Sequence, residues 1–153
     1  YLINEMLRNN DGFFSSTYLH RMGAGKLVSG PVWDFDIAAG NIDYNGHDAP
    51  EGWVSRNVSR YYQKLSRDPD FLAHVAARWR YLSSQMPKLR RYIADSAAAL
   101  DEAQQRNFVR WPILDIYVWP NAVVTGSYAG EIDYLDRWLE RRANWIDGEL
   151  SAD

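Results

Sequence analysis

The chain has 153 residues, and its 46% hydrophobic and 24% charged residues are ordinary for a globular protein with one core. Its net charge of −3 gives no electrostatic footprint for nucleic acid, and no apolar run approaches the length of a membrane span, so we expect neither nucleic acid binding nor membrane insertion. Cysteine is absent, which excludes disulfides, thiolate catalysis and cysteine-based zinc sites.

The N-terminal segment predicts a helix over residues 2–8, where apolar side chains recur at helical spacing, and the sequence NNDG then supplies residues that end a helix. Two short apolar runs around the sequence GAG predict a β-hairpin with strands near 17–21 and 26–29. The chain has no initiator Met and opens inside the first helix. We therefore expect residues 1–153 to form a single domain that is a fragment of a longer protein.

Two aspartates follow the hairpin in the sequence SGPVWDFDIAAGN. A period of two would turn Asp34 and Asp36 to one side and Trp33 and Phe35 to the other. Carboxylates in so apolar a segment either cap a turn or hold a cation.

Residues 41–57 are rich in Gly, Asn, Asp and Pro and predict a long ordered loop, a kind of segment that is often functional. The loop contains four side chains able to bind metal: Asp43, His47, Asp48 and Glu51. Their spacing matches neither a calcium loop nor a zinc motif, which favours a polar surface loop. Trp53 is the aromatic residue that we most expect to be exposed.

The rest of the chain is dominated by helical patterns. Asp68 and Pro69 give the N-cap and first-turn signals of a helix that should end near residue 84. Further helices are predicted over 87–107 and 127–150. The outward-facing basic side chains of the last helix are expected to be Arg137, Arg141 and Arg142.

Residues 108–123 are aromatic and interrupted by Pro112 and Pro120, so they fit either a short helix or a segment that lines a groove. The aromatic side chains expected to face the core, with a substrate or carbohydrate groove as the alternative, are Trp111, Tyr117 and Trp119. The predicted fold class is therefore mainly α with one small β-hairpin.

The order of helix, NND, hairpin and WDFD matches the order of functional parts in a protein kinase. There, an aspartate after a helix orients the acceptor hydroxyl, an asparagine five residues later helps to hold metal, and a second aspartate after a hairpin is the main Mg²⁺ ligand. Asp11 and Asp34 occupy the corresponding places. One acid would act on the nucleophile and the other would hold the cation that neutralises the phosphates.

The chain resembles the spore coat protein H (CotH) kinase family. The resemblance is carried by INEMLRNNDG, by YLHRMGAGKLVSGPVWDFDIAAGN and by YAGEIDYLDRWLERRANWIDGEL. It implies the C-terminal lobe of a reduced, atypical protein-kinase-like fold. It also implies the phosphorylation of secreted or spore-coat proteins with ATP and Mg²⁺ or Mn²⁺, in a bacterial spore coat, cell envelope or secreted context.

The resemblance assigns roles by position. Asp11 matches the catalytic-loop acid, Asp34 the metal-binding acid, and Asp36 the second acid of the D-x-D pair. Ser16 stands five residues after Asp11, where the kinase pattern has Asn, and Asn10 or Asp36 could substitute for that missing amide. We assign Asn10 and Ser16 to cofactor binding, and Asp34 and Asp36 to the metal.

No nucleotide-binding lysine can be assigned before Tyr1, so the expectation is a segment with little or no phosphotransfer activity alone. Asp11 has the alternative role of a turn former, and Asp34 or Asp36 that of a helix-turn cap. Two further functions stay open: a non-catalytic surface or spore-coat assembly module that retains the fold, and a purely structural calcium site.

Overall fold

The computed structural model describes residues 1–151 and is mainly helical with one small antiparallel hairpin, as the sequence predicts. In chain order the elements of this described part are α1 (Leu2–Met6), β1 (Leu19–His20), β2 (Val28–Ser29), α2 (Ser55–Val58), α3 (Arg60–Leu65), α4 (Pro69–Ser84), α5 (Met86–Ala99), α6 (Asp101–Arg110) and α7 (Tyr128–Ser151).

The hairpin forms where it was predicted, but its strands are only two residues long. Leu19 pairs with Ser29 and His20 with Val28, and all four residues are exposed. One further bond runs from the Gly30 amide to the Tyr18 carbonyl, at 2.9 Å. The hairpin therefore projects from the core and returns the chain beside its own starting point.

The core forms where α7 packs against α1, α4 and α5. Its buried apolar side chains are Leu2, Met6, Trp53, Val75, Trp79, Met86, Trp138, Leu139, Ala143 and Ile146. The indole N–H of the buried Trp79 donates to Asp147 Oδ1 at 2.6 Å, so that its polar atom is satisfied. Each fully buried large apolar side chain contributes roughly 1.5–3 kcal/mol, and α7 supplies several of them.

Two helix predictions have different outcomes. The α4 start is confirmed, because Asp68 Oδ1 accepts from the amides of Asp70 at 2.9 Å and Phe71 at 3.2 Å. The helix predicted over 87–107 is instead two helices, α5 and α6, separated at Leu100. The acids Asp101 and Glu102 then fall in the first turn of α6, where the helix dipole favours negative charge.

The prediction that Trp53 is exposed is wrong. Its ring is 7% exposed, lies edge-on to Trp145 at 5.1 Å, and donates from Nε1 to Glu149 Oε2 at 3.2 Å. The loop that carries Trp53 therefore closes against the C-terminal half of α7.

The prediction that Arg142 faces solvent is also wrong, because its side chain is fully buried. Arg142 donates to the carbonyl of Glu5 from Nε at 3.1 Å and from Nη2 at 2.7 Å, and from Nη1 to the carbonyls of Pro50 at 2.7 Å and Gly52 at 2.8 Å. The equally buried Glu5 carboxylate accepts from the amides of Val54 and Ser55. This pair joins α1, the loop before α2, and α7.

Gly40 is placed where a side chain cannot fit. Its φ is +82°, and an added Cβ would lie 2.5 Å from the Trp138 ring and 2.8 Å from the Tyr134 hydroxyl. We expect Gly40→Ala to lower the free energy of unfolding by about 2–4 kcal/mol, from left-handed strain plus overpacking. Urea denaturation measures the loss. The control Gly46→Ala has a φ of +66° with open space around it, so it should lose only the smaller strain contribution. Equal losses in both variants would contradict the steric argument.

Candidate functional site

A tight turn follows α1 and carries Asp11. The amides of Phe14, Ser15 and Ser16 all donate to the Asp11 carbonyl at 3.0 Å. The half-buried Asp11 carboxylate accepts from Asn10 Nδ2 at 2.8 Å. Asp11 therefore does form a turn, and this turn leaves its carboxylate available beside the Asn10 side chain.

Asp34 has a backbone conformation that only a minority of non-glycine residues adopt. Its φ is +65°, a left-handed value that Asp tolerates better than most side chains but that still costs about 1–3 kcal/mol. The strand-like alternation predicted for residues 33–36 is therefore wrong. Trp33 lies against Tyr18 at 5.7 Å, while Phe35 and Asp36 together line one cavity of about 400 Å³.

Asn9 joins the Asp11 turn to Asp34. The Asn9 side chain is fully buried, and its Oδ1 accepts from the Asp11 amide at 3.1 Å. Its Nδ2 donates to the Asp34 carbonyl at 3.1 Å. A single amide group thus contacts the backbones of both predicted acids. The sequence pattern predicts no role for Asn9, although Asn9 stands directly before Asn10 and Asp11 in the NND motif.

Ser16 makes the second link between the two segments. Its hydroxyl donates to Asp34 Oδ2 at 2.8 Å, and its amide is one of the three that bind the Asp11 carbonyl. The Asp34 carboxylate, which is exposed, is thus held by a neighbouring turn instead of capping its own. Ser16 therefore touches the predicted metal-binding acid directly.

Asp36 and Asn10 lie beside these links. The Asp36 side chain is exposed, and its carbonyl accepts from Asn41 Nδ2 at 2.9 Å. Asn10 Oδ1 accepts from Asn45 Nδ2 at 3.0 Å, which attaches the loop after Asn41 to the Asp11 turn.

The pKa of the Tyr44 phenol is raised by its surroundings. Partial burial raises the pKa of its phenol, and the negative charges of Asp11, Asp43 and Asp36 raise that pKa further. Asp11 and Asp36 therefore both lie within electrostatic range of one hydroxyl group.

The aromatic segment between α6 and α7 borders the same loop. Tyr117 donates its hydroxyl to Asp43 Oδ2 at 2.5 Å, and the Trp119 ring lies nearly parallel to Tyr44, 6.1 Å from it. The expectation that these side chains face the core is wrong, because Trp111, Tyr117 and Trp119 are 57%, 54% and 69% exposed. Pro112 and Pro120 interrupt the helical hydrogen bonding that could have turned them inward.

In the part of the chain from 1 to 151, no group of three or more His, Asp or Glu side chains is arranged to hold an ion. Mg²⁺ usually needs only one or two carboxylates and takes its other ligands from water and substrate phosphates. The exposed Asp34 carboxylate, with the Ser16 hydroxyl oxygen 2.8 Å from its Oδ2, fits that hard-ligand chemistry.

Comparison with known proteins gives the family. A family model described as CotH kinase protein matches residues 1–146. The chain belongs to the CotH kinase family. This membership indicates a kinase-like or spore-coat role.

The match covers every residue of the Asp11 turn, the hairpin and the D-x-D segment. No curated protein and no solved structure matches this CotH-family chain. Every helix in the described residues is too short or too polar to cross a bilayer.

Proposed function

We propose that this CotH-family chain provides the acceptor-orienting and metal-binding acids of a protein kinase. The kinase transfers the γ-phosphate of ATP to a Ser or Thr hydroxyl of a coat or secreted protein. The observation that carries the proposal is the double link from the Asp11 turn to Asp34 through Asn9 and Ser16. Two acids that are distant in sequence and are joined in this way can act on the two ends of one phosphoryl transfer.

In the proposed reaction Asp11 acts on the acceptor. Its carboxylate takes the proton of the Ser or Thr hydroxyl as the hydroxyl oxygen forms a bond to the γ-phosphorus. The bond from that phosphorus to the β–γ bridging oxygen breaks, and ADP leaves with its electron pair. The products are a phosphoester and ADP, and Asp11 later releases its proton to water.

Asp34 is the residue proposed to hold Mg²⁺ or Mn²⁺, with Asp36 as a second carboxylate. The bound cation would neutralise phosphate charge, a large share of the catalysis in phosphoryl transfer. Asn10 and Ser16 are proposed on the cofactor side. The Ser16 hydroxyl already donates to Asp34, so its first effect is on the orientation of that carboxylate.

The order of α1, the Asp11 turn, the hairpin and the D-x-D segment supports a lobe of kinase-like design. The exposed aromatic segment 111–119 supports binding of a protein substrate next to these acids, because it is fixed to the loop that contacts Asn10. Aromatic side chains that are exposed and held rigidly are common anchors of protein interfaces.

The same segment favours a second candidate, a non-catalytic spore-coat assembly module. An assembly module would use the exposed rings of Trp111, Tyr117 and Trp119 for binding and would need no cation. The use of Ser16 at the position of the kinase asparagine is a further point in its favour. Cation binding therefore separates the two candidates.

Titration calorimetry with Mn²⁺ tests the proposal on the chain itself. We expect one Mn²⁺ site, and we expect Asp34→Asn to weaken binding at least about tenfold. Asn keeps the size of the side chain and tolerates the left-handed backbone, so the variant removes mainly the charge. The control Asp95→Asn removes one exposed carboxylate from α5 and should change the affinity less than about threefold.

Equal affinity of Asp34→Asn and the unaltered chain would refute the assignment of Asp34 to the metal. Absence of Mn²⁺ and Mg²⁺ binding altogether would favour the assembly module. A melting temperature raised by Ca²⁺ alone would instead indicate a structural calcium site.

A further inference from the structure

We propose that Asn9 is a positioning residue that fixes Asp34 relative to Asp11, with Ser16 as its partner on the carboxylate. Asn9 itself touches no reacting atom in this proposal and acts through the backbones of the two acids. The role given to the acids rests on the proposed function above, whereas the positioning itself does not.

The chemistry of the side chain explains why asparagine stands at position 9. The Asp11 amide can only donate and the Asp34 carbonyl can only accept, so the group between them must offer one acceptor and one donor. Asn9 offers both from one rigid plane, at 3.1 Å each. An aspartate would place a second oxygen against the Asp34 carbonyl, and a flipped amide would mismatch both contacts.

Burial makes these contacts obligatory. Asn9 is fully buried, so water cannot replace either partner if the segments move apart. A second buried asparagine, Asn4, lies on its other side, with its Oδ1 at 3.5 Å from Asn9 Nδ2. Asn4 in turn donates to the Gly12 carbonyl at 3.0 Å. At 3.5 Å the contact between Asn4 and Asn9 is at the outer limit of a hydrogen bond, so the orientation of the Asn9 amide is set mainly by its two contacts at 3.1 Å.

The conformation of Asp34 supplies the need for positioning. Its left-handed φ of +65° is unfavourable for a side chain with a Cβ and persists only where the surroundings hold it. Two contacts do so: Asn9 binds the Asp34 carbonyl, and Ser16 binds its carboxylate. Without the Asn9 contact, the backbone at Asp34 can return to ordinary negative φ, which redirects the carboxylate.

The test compares Asn9→Ala with Asn4→Ala by NMR and by Mn²⁺ titration. Asn4 is a matched control because it is also a buried asparagine of this cluster, but its side chain hydrogen-bonds to Gly12 and Asn9 and not to Asp11 or Asp34. A residue at positive φ gives a strong NOE between its own amide and Hα protons. We expect Asn9→Ala to lose this NOE at Asp34 and to bind Mn²⁺ about tenfold or more weakly. Asn4→Ala should retain the NOE and bind within about threefold of the unaltered chain.

Each outcome decides the proposal. It is overturned if Asn9→Ala keeps both the Asp34 NOE and the Mn²⁺ affinity, or if Asn4→Ala loses them equally. If Asn9→Ala does not fold, the unaltered chain decides, since its Asn9 side-chain amide protons must show NOEs to protons at Asp34 or Phe35. Their absence would overturn the positioning.

Failure of the proposed function is seen separately. If the unaltered chain binds no Mn²⁺, the metal assignment fails, while the NOE at Asp34 in Asn9→Ala still reports whether Asn9 sets that backbone. In the same way, Asp34→Asn should lose Mn²⁺ binding yet keep the positive-φ NOE at position 34.

Discussion

Replacement of Arg142 by Met should lower the free energy of unfolding by about 3–5 kcal/mol, because it breaks a buried ion pair from one side. The guanidinium is fully buried and binds three backbone carbonyls, those of Glu5, Pro50 and Gly52. Burial lowers the pKa of Arg142 to about 10, still well above neutral pH, so the group stays charged in the core. Met fills similar space but leaves these carbonyls and the Glu5 carboxylate without their donor. Urea denaturation followed by tryptophan fluorescence measures the loss.

The neighbouring residue provides the control for this experiment. Arg141 pairs with Glu51 at 3.2 Å on the surface, with both side chains more than half exposed. Arg141→Met should therefore cost less than about 1 kcal/mol. Arg142→Lys should fall between the two, since Lys keeps the charge but cannot reproduce the planar set of donors. A loss of less than about 1 kcal/mol for Arg142→Met would show that the buried pair does not hold α1 and the loop to α7.

The parts of the fold that the sequence predicts correctly are those decided by local chemistry. Asp68 and Pro69 start α4 through a side-chain cap and a fixed φ, and both effects act within one turn. The GAG turn likewise places the hairpin, because its glycines and the flanking apolar runs are neighbours in sequence. The family match over residues 1–146 includes Asp11 and Asp34, whose roles in phosphoryl transfer stay predictions.

The residues whose placement the sequence predicts wrongly or not at all depend instead on contacts between distant segments. Arg142 stands four positions after Trp138 and four before Ile146, so the helical period places it on the buried face of α7. The charge of Arg142 by itself predicts exposure to solvent. Its burial is possible because a distant loop supplies carbonyl groups that accept hydrogen bonds from the guanidinium. Asn9 and the left-handed Asp34 depend on each other in the same way, across the hairpin that separates them. The helical period indicates that Arg142 is buried, but no local pattern identifies the distant partners of Arg142 or of Asn9.

Acidification should destabilise the fold through His47. The imidazole is 6% exposed, and its pKa is lowered from 6.5 to about 4 by burial first, and then by the positive charges of Arg8 and Arg142, which the negative charge of Asp48 offsets only in part. The folded chain therefore resists protonation of His47, while the unfolded chain takes up the proton near pH 6.5. Stability is fully present above that pH and is lost as the pH falls from about 6.5 to about 4.

The size of this effect follows from the displaced pKa. Each pKa unit corresponds to about 1.4 kcal/mol, so the free energy of unfolding should fall by about 3 kcal/mol between pH 7 and pH 4 on account of His47. Carboxylate groups in general also titrate in the lower part of this range. The His47 contribution is therefore the difference between the unaltered chain and His47→Gln in how far the free energy of unfolding falls. Urea denaturation at several pH values measures it for each protein. His74→Gln removes an exposed imidazole from α4 and should keep the full fall. If His47→Gln lost as much stability as the unaltered chain over this range, the buried imidazole would not be the group that senses acid. That result would require solvent to screen the positive charges of Arg8 and Arg142, although both side chains are buried.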